Sequence, residues 1–473
     1  VAHEPNQQDY RLPADSFLAT TAWKVSAALA VVGLLGSVAG FVADSNRFGY
    51  SYLFGFFAVT TLMLGAMFMV LIQHMTAGHW GVTSRRIFEV FMAGAPVIFV
   101  LALPILFAVQ AGAFGMYDEW RLVHEHGGAH AEGEAEAEEH GALQLGASVA
   151  QAQEPEAAAA PDEGAPAEGE AEAGHGDEHG EAHAHTPQEQ QLHHNTLLGK
   201  SGWLAEGFWA FRAVVYLLAW CLIALFYFKT STRQDQTKDK QLTPRMQNAS
   251  YLSSFVFGLT LTFASFDWVM SLEPAWYSTI FGVIIFGGSA IAILATACLF
   301  GIHMHRNNLA GGAVNGEHIN DLSRLMFGFI CFWTYVQFSQ WMLIWYAGIP
   351  EEATWFHRRW QGGFEWVSLT LIFGHFVAPF FLLISRVQKR NLGWLQKMCV
   401  WLLAMHVVDL YWFVIPQANT PAHLDSSVVY DLAALLLCGG VFFTFVLKGL
   451  ARFPLVPVGD PRLSRSLHHH QTY

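Results

Sequence analysis

Charge is what this sequence has least of. Asp, Glu, Lys and Arg make up 13% of its 473 residues, against about 25% in ordinary soluble domains. A globule surrounded by water is therefore excluded as the body of the chain. Cysteine is scarcer still: Cys221, Cys298, Cys331, Cys399 and Cys438 each sit in an apolar run. No two of them share the C-x-x-C spacing of a metal site or a covalently held haem, so they read as small core hydrophobes. There is no G-x-x-x-x-G-K-[ST] phosphate loop, no H-E-x-x-H metal helix and no G-x-S-x-G elbow. Basic patches interleaved with stacking aromatics are also missing, so nucleic acid is not an expected partner. No cleavable signal segment is expected, because Val1–Thr21 is polar and acidic and the first apolar run leads to no A-x-A site.

What is present is apolar. Hydrophobic residues reach 53% and aromatics 14%, with 17 Trp and 38 Phe, as befits side chains that meet lipid and a headgroup belt. A bilayer core about 30 Å thick takes roughly 20 apolar residues to cross as a helix. Ten such runs follow one another: Trp23–Val42, Tyr50–His74, Ile87–Gly112, Trp203–Phe228, Tyr251–Leu272, Trp276–Ile302, Leu325–Gly348, Trp366–Ser385, Leu395–Pro416 and Val428–Gly449. Pro96, Pro104 and Pro379 fall inside them, which membrane helices tolerate because neighbours satisfy the freed backbone groups. The expected fold class is an all-α integral membrane protein of about ten transmembrane helices.

Lys and Arg divide unevenly between the two sets of connections. Nineteen fall on the side of the termini, five (Arg47, Arg121, Lys200, Arg358 and Arg359) fall opposite, and Arg212 lies within a span. Positive residues mark cytoplasmic connections, so both termini are expected in the cytoplasm of a bacterial inner membrane. The organisation that follows is residues 1–117 as a cytoplasmic tail with three helices, 118–200 as an external insertion, 201–449 as seven further helices, and 450–473 as a cytoplasmic tail. The net charge of −13 owes much to the insertion, a low-complexity run of Ala, Glu, Gly and His such as HGDEHGEAHAH at His175–His185. Disorder is expected there, since it lacks apolar surface to offset ordering entropy; a solvated acidic loop is favoured over a loose metal site.

A faint internal repeat is also present. Tyr50-Ser51-x-x-Phe54-Gly55 opens the second run and Tyr277-Ser278-x-x-Phe281-Gly282 the sixth; both runs end at a His-Met pair, and Ser-Arg-x-x-Phe at Ser84 and at Ser323 opens the next. Both copies enter from the same side, as in a parallel duplication.

Ionisable groups inside a span are costly and default to functional candidates. His406 and Asp409, three apart, share one face of the ninth helix near its middle. His375 on the eighth helix falls at similar depth, so the three form one expected cluster, with imidazole and carboxylate as proton-relay material. Asp267 and Glu273 lie toward the outside, where Asp267 serves either a proton exit or a structural ion pair with Arg212. His74 and Glu89 lie near the cytoplasmic end as proton-entry groups. Tyr335, Gln337 and Gln340 on the seventh helix line a water path, bond a quinol oxygen or serve packing.

The segments FGYSYLFGFFAVTTLMLGAMFMVLIQHMTAGHWGVTSRRIFE and FASFDWVMSLEPAWYSTIFGVIIFGGS resemble a polytopic membrane subunit of alternative complex III, a quinol:electron acceptor oxidoreductase. Ser271–Thr279 and Gln73–Thr76 are the most distinctive pieces, and the resemblance covers the chain apart from the acidic insertion. That type of subunit is similar to the wider polysulfide-reductase (NrfD-like) membrane proteins. The resemblance implies two four-helix bundles with flanking single helices. It implies iron–sulfur and c-haem partner subunits and a sister NrfD-like membrane subunit, with no cofactor bound by this chain beyond a quinol or menaquinone contact. It implies proton translocation or scaffolding as the chain's own task. Two other functions fit the residues: a secondary transporter using the His/Asp cluster, and a structural membrane anchor.

Overall fold

The computed structural model describes residues 10–121, 187–418 and 427–468. The chain divides into two compact units, one of Val1–Glu119 with Trp203–Tyr473 and one of Trp120–Gly202. No strand occurs among the described residues. The helices of the larger unit are α1 (Trp23–Ala43), α2 (Ser45–Met75), α3 (Val82–Met92) and α4 (Ala95–Ala111), then α6 (Glu206–Thr237), α7 (Leu242–Trp268), α8 (Phe281–Arg306), α9 (Gly316–Ala347) and α10 (Pro350–Arg358). They continue with α11 (Phe364–Thr370), a π-helical segment Leu371–Val377, α12 (Ala378–Leu383), α13 (Arg386–Arg390), α14 (Leu392–Val414), α15 (Val428–Arg452) and α16 (Leu463–Leu467). Helix α5 (Pro187–Leu204) ends the smaller unit.

Nine helical spans among the described residues are long and apolar enough to cross a membrane, with α3–α4 and α11–α12 each counting as one. The chain is an all-α membrane protein. The tenth expected span, in α9, is not among the nine. At 32 residues it is long enough, but its Trp, Tyr and Gln residues dilute its apolar character. Its outward side chains, including Phe338, Leu343 and Trp345, are nonetheless exposed and apolar, as lipid contact requires. Most of the acidic insertion lies outside the described residues. Its last part departs from the expected disorder: Pro187 opens α5 at a position where proline is pre-organised for a helix, and Gln, Glu and Leu carry it on.

Helices α2 and α8, which carry the repeat, are the most buried spans and touch where glycine permits. A Cβ on Gly65 would fall 2.3 Å from the Ser289 carbonyl oxygen. The same device joins α1 to α15, where a Cβ on Gly33 would lie 2.3 Å from the Leu437 nitrogen and one on Gly440 2.5 Å from that of Ala30. Lipid supplies no hydrophobic drive between helices, so close backbone approach through small residues is how they bind each other.

Buried ion pairs add specific ties. Arg47 of α2 grips Asp431 of α15 with two hydrogen bonds of 2.9 and 2.8 Å, and the Ser51 hydroxyl donates to the same carboxylate at 2.6 Å. The Leu455 amide, after α15, donates to the Tyr10 carbonyl, before α1, at 2.8 Å.

The π segment directly precedes Pro379, which has no N–H to return to the preceding turn, and its Gly374 carbonyl accepts a 2.7 Å hydrogen bond from the Trp401 indole. Such bulges re-aim side chains at working positions, and this one carries His375.

Candidate functional site

His375, His406 and Asp409 do come together, and three residues that the sequence did not single out complete the centre. The His406 Nε2 lies 2.9 Å from the Thr61 hydroxyl of α2. That hydroxyl already donates its proton to the Ala58 carbonyl at 3.0 Å, so it must accept from His406. The neutral imidazole is thereby held as its Nε2–H tautomer, and Nδ1 is a bare acceptor. Helix α8 passes close on the same side: a Cβ on Gly288 would stand 3.3 Å from His406 Nδ1 and 3.5 Å from Asp409 Oδ2. The Trp333 indole of α9 stacks on the His375 ring, centroids 4.1 Å apart at 26°, and approaches Asp409 as well.

The hydrogen bonding of this centre is incomplete. Both nitrogens of His375, Nδ1 of His406 and Oδ1 of Asp409 are buried without a hydrogen-bond partner among the described residues. An unsatisfied buried polar group costs about 1–3 kcal/mol, so four in one place call for ordered water between them.

Asp267 presents the opposite case. It accepts from Arg212 Nε and Nη2, both at 2.8 Å, from the Tyr216 hydroxyl at 2.9 Å and from the Trp203 indole at 3.0 Å. Four donors occupy its two oxygens, which suits the structural ion pair better than the proton exit. Arg212 also lies 4.0 Å over the Trp203 ring, so the charge is wrapped on several sides. Glu273 accepts from the Gln417 amide at 2.6 Å, and Gln417 in turn accepts from Arg358. Neither carboxylate meets the central cluster.

Glu89 belongs to a buried ion-pair network. It pairs with Arg85 at 3.2 Å and Arg86 at 2.8 Å and accepts from the Ser231 hydroxyl at 2.9 Å. Arg85 continues to Asp460 and Arg86 to Asp235, while the Gly459 amide donates to Asp235 at 3.0 Å. Two arginines and three acids thus pin the C-terminal tail to α3 and α6. Burial pushes the Asp460 pKa up, but the Arg85 guanidinium and the Arg462 amide outweigh it and hold it below the usual carboxylate range. Adjacent Arg85-Arg86 was visible as a basic pair, yet its acidic partners lie far off in sequence and gave no local sign. His74, on the last turn of α2, stands apart from this network in bonding. It is fully buried, its ring 5.4 Å from that of Tyr227, and among the described residues neither nitrogen nor the neighbouring Gln73 amide has a hydrogen-bond partner.

Arg359, expected in an exposed connection, is fully buried. It lies 3.3 Å over the Trp355 ring and donates to the carbonyls of Trp355, Trp412 and Phe413 at 2.7, 3.0 and 3.1 Å. Burial drives its pKa well down, against the upward pull of Glu273. Of the seventh-run residues, Gln340 bonds the Ser278 hydroxyl, whereas Tyr335 and Gln337 line a cavity beside the centre. Among the described residues no group of three or more His, Cys, Asp or Glu is placed to hold a metal ion.

No protein-family model matches the chain, and no curated protein matches it either.

Proposed function

We propose that this chain is the integral, proton-handling membrane subunit of a respiratory quinol:electron acceptor oxidoreductase of the alternative complex III type. In this reading it lies in a bacterial inner membrane with both termini cytoplasmic. Iron–sulfur and c-haem subunits bind to it and carry the electrons, beside a sister NrfD-like membrane subunit. The observation that carries the proposal is the contrast between two buried carboxylates in one molecule. Asp267 is saturated by four donors, as a packing device should be. Asp409 keeps an oxygen without a partner, near a histidine whose tautomer is fixed and whose Nδ1 is bare. A group that must take and release a proton needs such open valences, and an imidazole near a carboxyl supplies a partner to pass it to.

The chemistry is a sequence of proton positions. His74 and Gln73 stand at the end of the bundle that holds the termini, with unpartnered polar atoms. His375, His406 and Asp409 stand in its interior. Protons move between them through ordered water, since bare charge in hydrocarbon is too costly. Glu273 marks the opposite end.

The test is purification from native membranes with optical spectra, followed by proton counting in proteoliposomes. The proposal expects co-purifying c-haem and iron–sulfur subunits. It also expects an Asp409→Asn variant that assembles fully but releases fewer protons per quinol oxidised. A chain that purifies alone supports the transporter instead. An assembled Asp409→Asn complex with the wild-type proton-to-electron ratio makes the cluster a packing device.

A further inference from the structure

Between α9 and the broken helix α11–α12 lies a cavity of about 800 Å³. The π segment supplies Leu371, Ile372, Phe376 and Val377 to one wall, while α9 offers Cys331 and Thr334, both small, on the other. The volume falls in the ordinary range of small-molecule sites, about 300–1,000 Å³.

Three properties of the walls narrow the occupant. The rim residues Tyr335, Phe338 and Ile372 are 69%, 55% and 46% exposed, in helices whose surroundings are hydrocarbon, so the mouth opens sideways and admits lipid-soluble molecules. None of the residues lining the cavity is charged. A phospholipid headgroup would find no counter-charge inside, which favours a neutral guest. Much of the lining is flat rings, Trp333 and Trp412 within and Trp341 and Trp360 nearer the surface, and such surfaces favour planar rings that can stack. The Gln337 amide and Thr334 hydroxyl supply the few polar atoms that orient a ring bearing oxygens.

We propose that this groove seats the ring of a neutral isoprenoid quinone or quinol, which enters sideways from the bilayer and lies against Trp333. Trp333 belongs to both places: it lines the groove, and it stacks on His375. A ring seated there is one indole away from the polar centre. The choice of a quinone rests on the respiratory reading; the neutral, planar, lipid-soluble character of the guest rests on the walls.

The experiment uses the full chain, in its native complex and in nanodiscs of phosphatidylcholine alone. The probes are a short-chain ubiquinone, a short-chain menaquinone and a photoactivatable azidoquinone. Tryptophan quenching by either quinone should saturate, and the cross-link should map to peptides containing 331–341 and 368–380. Ile372→Trp and Val377→Phe, which fill the groove from its rim and wall, should weaken binding about tenfold or more. The wild-type cross-link map stands as evidence even if a variant fails to fold. Labelling that spreads over all lipid-facing helices overturns the proposal. So does quenching that never saturates, as for acyl chains merely brushing quinone, or saturable binding that both filled variants retain. If the groove fails while the complex still oxidises quinol and moves protons, only the groove is wrong. If quinone binds but the chain purifies without redox subunits, only the respiratory reading is wrong.

Discussion

Replacing Asp267 by Asn is the perturbation whose size the structure dictates most directly. The side chain keeps its shape, but one accepting oxygen becomes an NH2 aimed at donors, and Arg212 is left charged and buried. Removing one partner of a buried pair costs about 3–5 kcal/mol. The hydrogen bonds of Tyr216 and Trp203 to the same carboxylate put the figure toward the upper end, because each donor left unpaired costs about 1–3 kcal/mol. The shift per kcal/mol is about 2–4 °C for chains of 150–250 residues and smaller for one of 473 residues, so the melting temperature should fall by about 5 °C. Thermal unfolding in detergent, followed by intrinsic fluorescence, reads it. The double variant Arg212→Met with Asp267→Leu removes both charges and should recover at least half of the loss. A melting temperature for Asp267→Asn within about 1 °C of wild type would refute the reasoning. So would a double variant as damaged as the sum of the singles, which would mean the charges were not each other's compensation. The double variant should also keep the proton-to-electron ratio, separating this carboxylate from the relay.

Gly288→Ala places a methyl between His406 Nδ1 and Asp409 Oδ2; the chain should fold and assemble, yet the proton-to-electron ratio should drop, and an unchanged ratio denies a proton passage at that point. The Asp460 carboxyl has its pKa lowered in the folded chain, so its contribution is fully present above the unfolded value and is lost only as pH falls through the lower, folded one. The protection factors of residues 455–468 against hydrogen exchange should therefore be equal at pH 7 and pH 5 and fall only below about pH 4, while Asp460→Asn lowers them at pH 7. Tail loosening already at pH 6 would contradict the Arg85 pairing. Protease added to right-side-out vesicles should cut within residues 118–200 and spare the connection Lys229–Arg245; cleavage in that connection reverses the proposed orientation.

The membrane class was legible in the sequence because it depends on run length and apolarity, which are local. The nine spans that qualify on both counts coincide with nine of the ten runs, and α9 alone falls short because aromatic and amide residues dilute it. The histidine and aspartate of α14 were legible as a pair for the same reason: three residues apart on a helix is a local relation. Arg212 with Asp267 was readable as one of two alternatives, since two opposite charges at similar depth in successive spans have few other partners.

What only the tertiary structure decided is which polar groups are satisfied. Apart from the histidine three residues before Asp409, nothing local tells which of the two carboxylates, Asp267 or Asp409, is saturated by donors. The difference is made by Trp203, Arg212 and Tyr216 in one place, and by Thr61, Gly288 and Trp333 in the other. Likewise Asp235 and Asp460, hundreds of residues from each other, meet Arg86 and Arg85 only because α3, α6 and the tail converge. The sequence by itself determined where helices cross and roughly how deep each charge sits, because those follow from transfer of local segments into hydrocarbon. Hydrogen-bond satisfaction depends on side chains brought together from distant segments, so whether a buried group is inert or open to a proton was decided by the packing.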